Sequence, residues 1–199
     1  LATRAEEFAL VHGPPGTGKT YTIAQTVKAM IENGERVLLS AFTNRAVDNA
    51  LEAVLDAGVD ESGIVRVGTE SGIREDMQNL HLEEAGDPGD RISELKDASL
   101  VAATTASCGS RVMREEAFDV ALVDEASQLT EPATLAAINL AERFVLVGDH
   151  EQLPPVVQAE GGQKWTEGFG TPAAADGGTA AAENAAGDGR TPRLDLSTS

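Results

Sequence analysis

At 199 residues, 41% hydrophobic and 24% charged, the chain is long enough for one ordinary domain with some extra length, which excludes wholesale disorder and a large two-domain enzyme. Its 33 acidic and 15 basic residues leave a net charge of −18, which repels nucleic acid and anionic membranes at ordinary ionic strength. The same acid-rich, lysine-poor, alanine-rich balance suits a high-salt cytoplasm, where at 1 M salt a screening length of about 3 Å removes long-range repulsion. No run approaches the roughly 20 apolar residues of a membrane span, and the N-terminus lacks a basic-then-apolar signal. Cys108 has no cysteine to pair with, and no Cys/His cluster has zinc spacing. A cytoplasmic setting is the expectation.

In chain order, Phe8–His12 is a short apolar run that reads as a buried strand. A helix over 19–33 follows, with Ile23, Val27, Met30 and Ile31 on one face and Asn33-Gly34 as its stop. Arg36–Ser40 is the next strand, and 45–57 the next amphipathic helix, carrying Ala46, Val47, Ala50, Leu51, Val54 and Leu55 and ending at Gly58. Ile64–Val67 is a third strand. Residues 68–98 are polar, broken at Gly86-Asp87-Pro88-Gly89, and read as one or two surface helices forming a reduced excursion. Leu100–Thr104 and Val120–Val123 are strands, a helix runs from Thr130 to about Glu142, and Phe144–Val147 is a sixth strand. Continuous apolarity means both faces of each strand are covered, so the fold class is α/β, a parallel sheet with helices on both faces.

The domain is expected to span 1–157, with a different kind of sequence over 158–199. Residues 159–199 hold nine Ala and eight Gly and almost no large apolar side chains. Such a tail cannot bury enough surface to offset its ordering entropy, so disorder is expected. A genuine linker and an altered reading frame in GC-rich DNA are the two origins this composition admits.

Gly13-Pro14-Pro15-Gly16-Thr17-Gly18-Lys19-Thr20 follows an apolar strand and opens a helix, the context in which the pattern GxxxxGKT binds phosphate. Its glycines let successive backbone N–H groups turn inward around phosphate oxygens, and the helix N-terminus adds its positive dipole end. On this reading Lys19 contacts the β- and γ-phosphates of ATP, and the Thr20 hydroxyl ligates Mg²⁺. Such a loop needs an acidic partner for the metal at a neighbouring strand end. After the apolar run 120–123, Asp124 is placed to hold Mg²⁺ through water, and Glu125 to orient and deprotonate the attacking water. A further strand end runs into Gly148-Asp149-His150-Glu151-Gln152, where Gln152 suits sensing the γ-phosphate; an ordinary turn is the other reading.

Together, GPPGTGKT at 13–20, DEAS at 124–127 and GDHEQLPP at 148–155 resemble motifs I, II and III of superfamily 1 helicases, 5′-to-3′ branch, of the RNA-surveillance and DNA-replication type. Ser40–Asn49 resembles motif Ia of that branch, with its TN-x-AVD core, and Ala103–Ser107 resembles the strand-end motif that follows. The resemblance covers about residues 8–157. It implies a P-loop NTPase fold, the first of two RecA-like domains, with ATP between the two and single-stranded DNA or RNA across their top. It further implies that Thr43, Asn44, Thr104 and Thr105 contact the strand, chiefly its phosphates. Short hydroxyl and amide side chains suit such sequence-independent contacts. Asn44 could equally only cap the following helix.

The family's upstream glutamine motif, its motifs IV to VI and its arginine fingers do not appear in this sequence. Because an arginine finger contributes about 10³–10⁵ in rate, the chain alone is expected to bind ATP and hydrolyse it weakly unless a second domain is supplied in trans. The alternatives are a non-catalytic nucleotide-binding fragment and another P-loop ATPase; the TN-x-AVD and GDHEQLPP strings argue against the latter. His12 reads as structural, Cys108 as a small buried residue, and Tyr21 as either near the nucleotide or packed in the core. His150, Trp165 and Phe169 carry no role.

Overall fold

The computed structural model describes residues 7–14, 16–82 and 87–149. Gln152, Pro15, His150 and the whole of 158–199 lie outside them. Among the described residues, six strands, β1 (Phe8–His12), β2 (Val37–Ala41), β3 (Ile64–Val67), β4 (Leu100–Thr104), β5 (Phe118–Val123) and β6 (Ala141–Gly148), form one sheet in the order β1-β6-β5-β2-β4-β3. Every pairing is parallel. Among the described residues, the α-helices are α1 (Lys19–Glu32), α2 (Asn44–Asp56), α3 (Pro88–Asp97), α4 (Thr105–Cys108) and α5 (Glu131–Ile138). The expected α/β class holds.

Side chains alternate between two cores, as the pleat requires. Val37, Leu39, Leu100, Ala102, Val120, Leu122, Val145 and Val147 face Ile23, Val27 and Met30 of α1 and Val47, Leu51 and Val54 of α2. Leu38, Val101, Ala103, Ala121 and Val123 face the other way, onto Leu95 of α3, Cys108 of α4 and Ala137 of α5. Both helix stops come where expected. Asn33 caps α1 and Gly34 takes φ 81°; Ala57 caps α2 and Gly58 takes φ 87°, a left-handed backbone that a side chain resists.

Three expectations need correction. β1, read as a buried strand, lies at the sheet edge with Phe8 55% and Leu10 68% exposed, so only its Ala9 and Val11 face packs against the core. The helix starting near Thr130 does not reach Glu142: it ends at Ile138, and Ala141–Arg143 belong to β6. Ala141 pairs with Phe118 and Arg143 with Val120, so tertiary pairing claims residues that local pattern left with the helix. The excursion over 68–98 is not merely superficial. It forms 3₁₀ turns at 70–72 and 75–80 and then α3, and it sends Ile73, Met77 and Leu80 into the first core and Leu82 and Leu95 into the second. Its few apolar residues are widely spaced in polar sequence, so no periodicity announces their burial.

Because all strands are parallel, their C-terminal ends open on one edge of the sheet. β1, β6 and β5 are consecutive there, and β2 and β4 lie beside them. Among the described residues, no helix is long and apolar enough to cross a membrane.

Candidate functional site

The segment 13–20 leaves the end of β1 and becomes α1 at Lys19. Gly13 N–H donates to the carbonyl of Gly148 at 3.1 Å, tying the loop to the end of β6. Gly16 and Gly18 have φ of 76° and 83°, so the loop turns twice through left-handed backbone. At Gly13 the constraint is space, since a Cβ there would lie 2.8 Å from Lys19 Cγ. Thr17 Oγ1 donates to the Pro14 carbonyl at 2.7 Å, and Lys19 Nζ donates to the Gly13 carbonyl at 2.5 Å. The lysine thus arches over its own loop. Thr17 and Thr20 are exposed.

Asp124 and Glu125 follow β5 directly. Asp124 N–H donates to the Ser40 carbonyl of β2, and Asp124 Oδ1 accepts from Glu125 N–H, both at 2.8 Å. Glu125 is left-handed, φ 54°, and its Oε2 is buried with no hydrogen-bond partner among the described residues. Burial raises the Asp124 pKa above the ordinary carboxylate value, against the Glu125 N–H and the Lys19 charge, which lower it. Burial also raises that of Glu125, reinforced by the Asp124 charge and opposed by Lys19. Lys19 therefore acts electrostatically on both carboxylates, from the start of α1 on the same edge of the sheet.

At the end of β6, Asp149 is 2% exposed. Its Oδ1 lies 3.4 Å from His12 Nε2, and its N–H donates to Ser127 Oγ at 3.4 Å. A Cβ on Gly148 would meet the Ser127 nitrogen at 3.1 Å, so the turn after Glu125 rests directly on this glycine. His12, read as structural, bridges the first and last strand ends. Tyr21 is 69% exposed, so it does not pack in the core, whereas Cys108 does, its thiol pushed up to about 11 by burial.

The four residues expected at the nucleic acid stand on the neighbouring strand ends. Thr43 follows β2, is exposed, and caps α2 by accepting from Ala46 N–H at 3.1 Å. The cap is therefore Thr43 and not Asn44. Asn44 Oδ1 accepts instead from Arg66 Nη2 at 2.9 Å. Thr104 and Thr105 are 7% and 3% exposed, and Thr104 Oγ1 accepts from Ser107 N–H to cap α4. Their side chains are interior, which leaves to a strand only backbone and exposed neighbours such as Ala106.

Sequence reasoning passed over Arg66 and Asp48. Arg66 is 0% and Asp48 2% exposed, and Arg66 Nε donates to Asp48 Oδ1 at 2.9 Å. The signal was present: an arginine within a fully buried strand and an aspartate on the apolar face of a helix each demand a partner.

Residues 1–91 and 89–160 match a family described as AAA domain. The DNA replication ATP-dependent helicase/nuclease DNA2 of Saccharomyces cerevisiae is 36% identical over 159 residues, 78% of this chain and 10% of that protein. The Schizosaccharomyces pombe dna2 protein of the same description is 39% identical over 158 residues, covering 77% and 11%; that of Homo sapiens is 35% identical over 159 residues, covering 77% and 15%. The chain thus spans between a tenth and a sixth of these relatives. Among solved structures, the UvsW helicase from bacteriophage T4 superposes with a TM-score of 0.53 at 16% identity, over 83% of this chain and 53% of that one. A nuclease-deletion mutant of the Type ISP restriction-modification enzyme LlaGI, in complex with a DNA substrate mimic, gives 0.54 at 15% identity, over 83% and 19%. These likenesses establish the fold, an α/β P-loop NTPase of the RecA-like type found in helicases.

Proposed function

Because the chain belongs to the AAA-domain family and is homologous to the helicase domain of DNA2-type enzymes, we propose that it binds ATP with Mg²⁺ and hydrolyses it to drive movement along single-stranded nucleic acid. A second RecA-like domain, supplied by a longer chain or in trans, completes the cleft. One observation carries this reading. Three consecutive strand ends, β1, β6 and β5, bring a phosphate-type loop beside a carboxylate with an orphaned, buried oxygen. A half-buried Glu125 with raised pKa and an unpartnered oxygen is what a general base awaiting a water requires.

The donors fit Mg²⁺. One exposed hydroxyl, Thr20, and one carboxylate, Asp124, are few for an all-protein site, but Mg²⁺ retains water and takes phosphate oxygens. Thr20 and Asp124 would hold the ion, which would supply positive charge to offset the charge developing on the phosphoryl oxygens. The protein's own share is positional. Backbone N–H groups of 13–18 and the start of α1 receive the phosphates, and Lys19 exchanges the Gly13 carbonyl for a phosphate oxygen. Glu125 Oε2 accepts the proton of the attacking water, while Asp124 would face the cation. Gln152, outside the described residues, reads the γ-phosphate. Thr43 and Asn44 contact the strand at the end of β2, with the turn at Thr104 and Thr105 alongside. The chain works in a cytoplasm-like setting, where high salt screens its negative charge.

ATP turnover by the whole chain in molar KCl with Mg²⁺, with and without single-stranded DNA or RNA, tests the proposal. Hydrolysis stimulated by the strand and reduced about 10²–10⁴-fold in Glu125→Gln, with nucleotide binding kept, is the expected result. Binding with no Glu125-dependent turnover under either condition overturns the catalytic reading.

A further inference from the structure

The buried pair of Arg66 and Asp48 lies outside the nucleotide site, and hydrophobic packing alone does not account for it. Arg66 belongs to β3, Asp48 to the second turn of α2, and both are shielded from water. All three arms of the guanidinium are used: Nε on Asp48 Oδ1 at 2.9 Å, Nη1 on the Val67 carbonyl at 2.7 Å, and Nη2 on Asn44 Oδ1 at 2.9 Å. Asp48 Oδ2 accepts from Arg74 N–H at 3.0 Å, which draws the turn at 70–74 against α2. A Cβ on Gly72 would lie 2.6 Å from Asn44 Nδ2, so the glycine is what lets the amide fit there. A groove of about 490 Å³ runs alongside, lined by Arg45, Asn49, Ser71 and Arg74 among others.

Burying an ion pair gives little net stability compared with apolar packing of the same volume; what it can provide is a defined geometry. Here the geometry falls on Asn44. A guanidinium has only donors, so it claims the oxygen of the amide and settles which way the amide points. Nδ2 is left with no acceptor among the described residues. We propose that Arg66, braced by Asp48, is a positioning residue for single-stranded nucleic acid: it holds the Asn44 carbonyl so that Nδ2 donates to a phosphodiester oxygen of the strand. The inference rests on the reading of Thr43 and Asn44 as strand contacts and adds the device that orients them. A planar fork that reaches an aspartate, an amide and a carbonyl together cannot be replaced by a single ammonium, so Lys at 66 keeps the charge and loses the orientation.

The test measures two affinities on the whole chain, for Mg²⁺-ATP and for a fluorescent single-stranded oligonucleotide, together with thermal melting. Arg66→Lys is expected to weaken the oligonucleotide about tenfold, the size of one charge-assisted hydrogen bond, while ATP affinity stays within about twofold. Combined with Asn44→Ala, Arg66→Lys should add nothing further, because both remove the same contact. Asn44→Asp guards against a folding defect: it keeps an acceptor for Arg66 and loses the donor, so it should melt no lower than the parent and still lose oligonucleotide affinity. If Arg66→Lys lowers both affinities equally, or adds fully to Asn44→Ala, Arg66 is merely structural and the proposal falls. If Asn44→Ala and Asn44→Asp leave the oligonucleotide affinity unchanged, the strand-contact reading itself fails and takes the proposal with it.

Discussion

Glu125 concentrates two costs in one residue. It is the one non-glycine with positive φ among the described residues, and its buried oxygen lacks a partner. Backbone strain of this kind costs about 1–3 kcal/mol and persists where surrounding structure or function demands it. The raised pKa gives the direction of a stability test. A carboxyl that holds its proton more tightly when folded favours the fold at low pH, and that contribution is lost as pH rises from the unfolded value through the folded one. Ionising the buried Glu125 as pH rises therefore opposes folding, and at pH 7 Glu125→Gln should melt higher than the parent. Below about pH 4, where both forms are neutral, the difference should shrink. Melting curves at pH 7 and pH 4 check this; a variant that melts lower at pH 7 would mean the carboxylate is stabilised by contacts beyond those described.

Between elements, burial decides which ion pairs matter. Arg36, just before β2, donates to the carbonyls of Leu95, Ala98 and Ala117 and to Glu116 Oε2 at 2.7 Å, with its guanidinium 4.4 Å above the Phe118 ring. It joins α3, the turn before β5, and β2. Glu116 is 8% exposed, so Arg36→Ala strands a carboxylate and leaves three carbonyls short of a donor. Losing one partner of such a pair costs about 3–5 kcal/mol, and thermal melting should show it as a large drop. Arg74 looks as well connected, to Asp76 and Glu52, and those carboxylates hold its pKa above the usual arginine value. The acids are exposed, water competes for them, and Arg74→Ala should melt within a few degrees of the parent. Equal losses from the two substitutions would refute the distinction.

For the whole molecule, the charge of −18 opposes compaction by self-repulsion. Raising KCl from 0.1 to 1 M shortens the screening length from about 10 to about 3 Å, so the melting temperature should climb across that range. A flat or falling curve would show that charge does not limit this fold. Oligonucleotide binding should likewise fall with salt less steeply than for a basic protein, because few phosphates are neutralised. A steep slope would contradict contact through neutral side chains such as Thr43 and Asn44.

Much of this was legible beforehand. Strand and helix positions followed from apolar runs and 3.6-residue spacing, because a sheet covered on both faces must be apolar throughout. The turn at 13–18 was legible because its glycines answer local backbone demands: Gly16 and Gly18 take left-handed φ. Hydrogen bonding and packing between distant segments were not. Which residue caps α2, where α5 yields to β6, and how Ile73 and Met77 reach the core depend on partners far along the chain. By itself, then, the sequence determined the α/β class and the order of the six strands along the chain. Only the tertiary structure decided that β1, β6 and β5 stand side by side, that Thr104 and Thr105 are interior, and that Arg66 finds Asp48 and Asn44. Local patterns record the preferences of neighbouring residues, whereas a buried charge is tolerated only where folding delivers its counterpart.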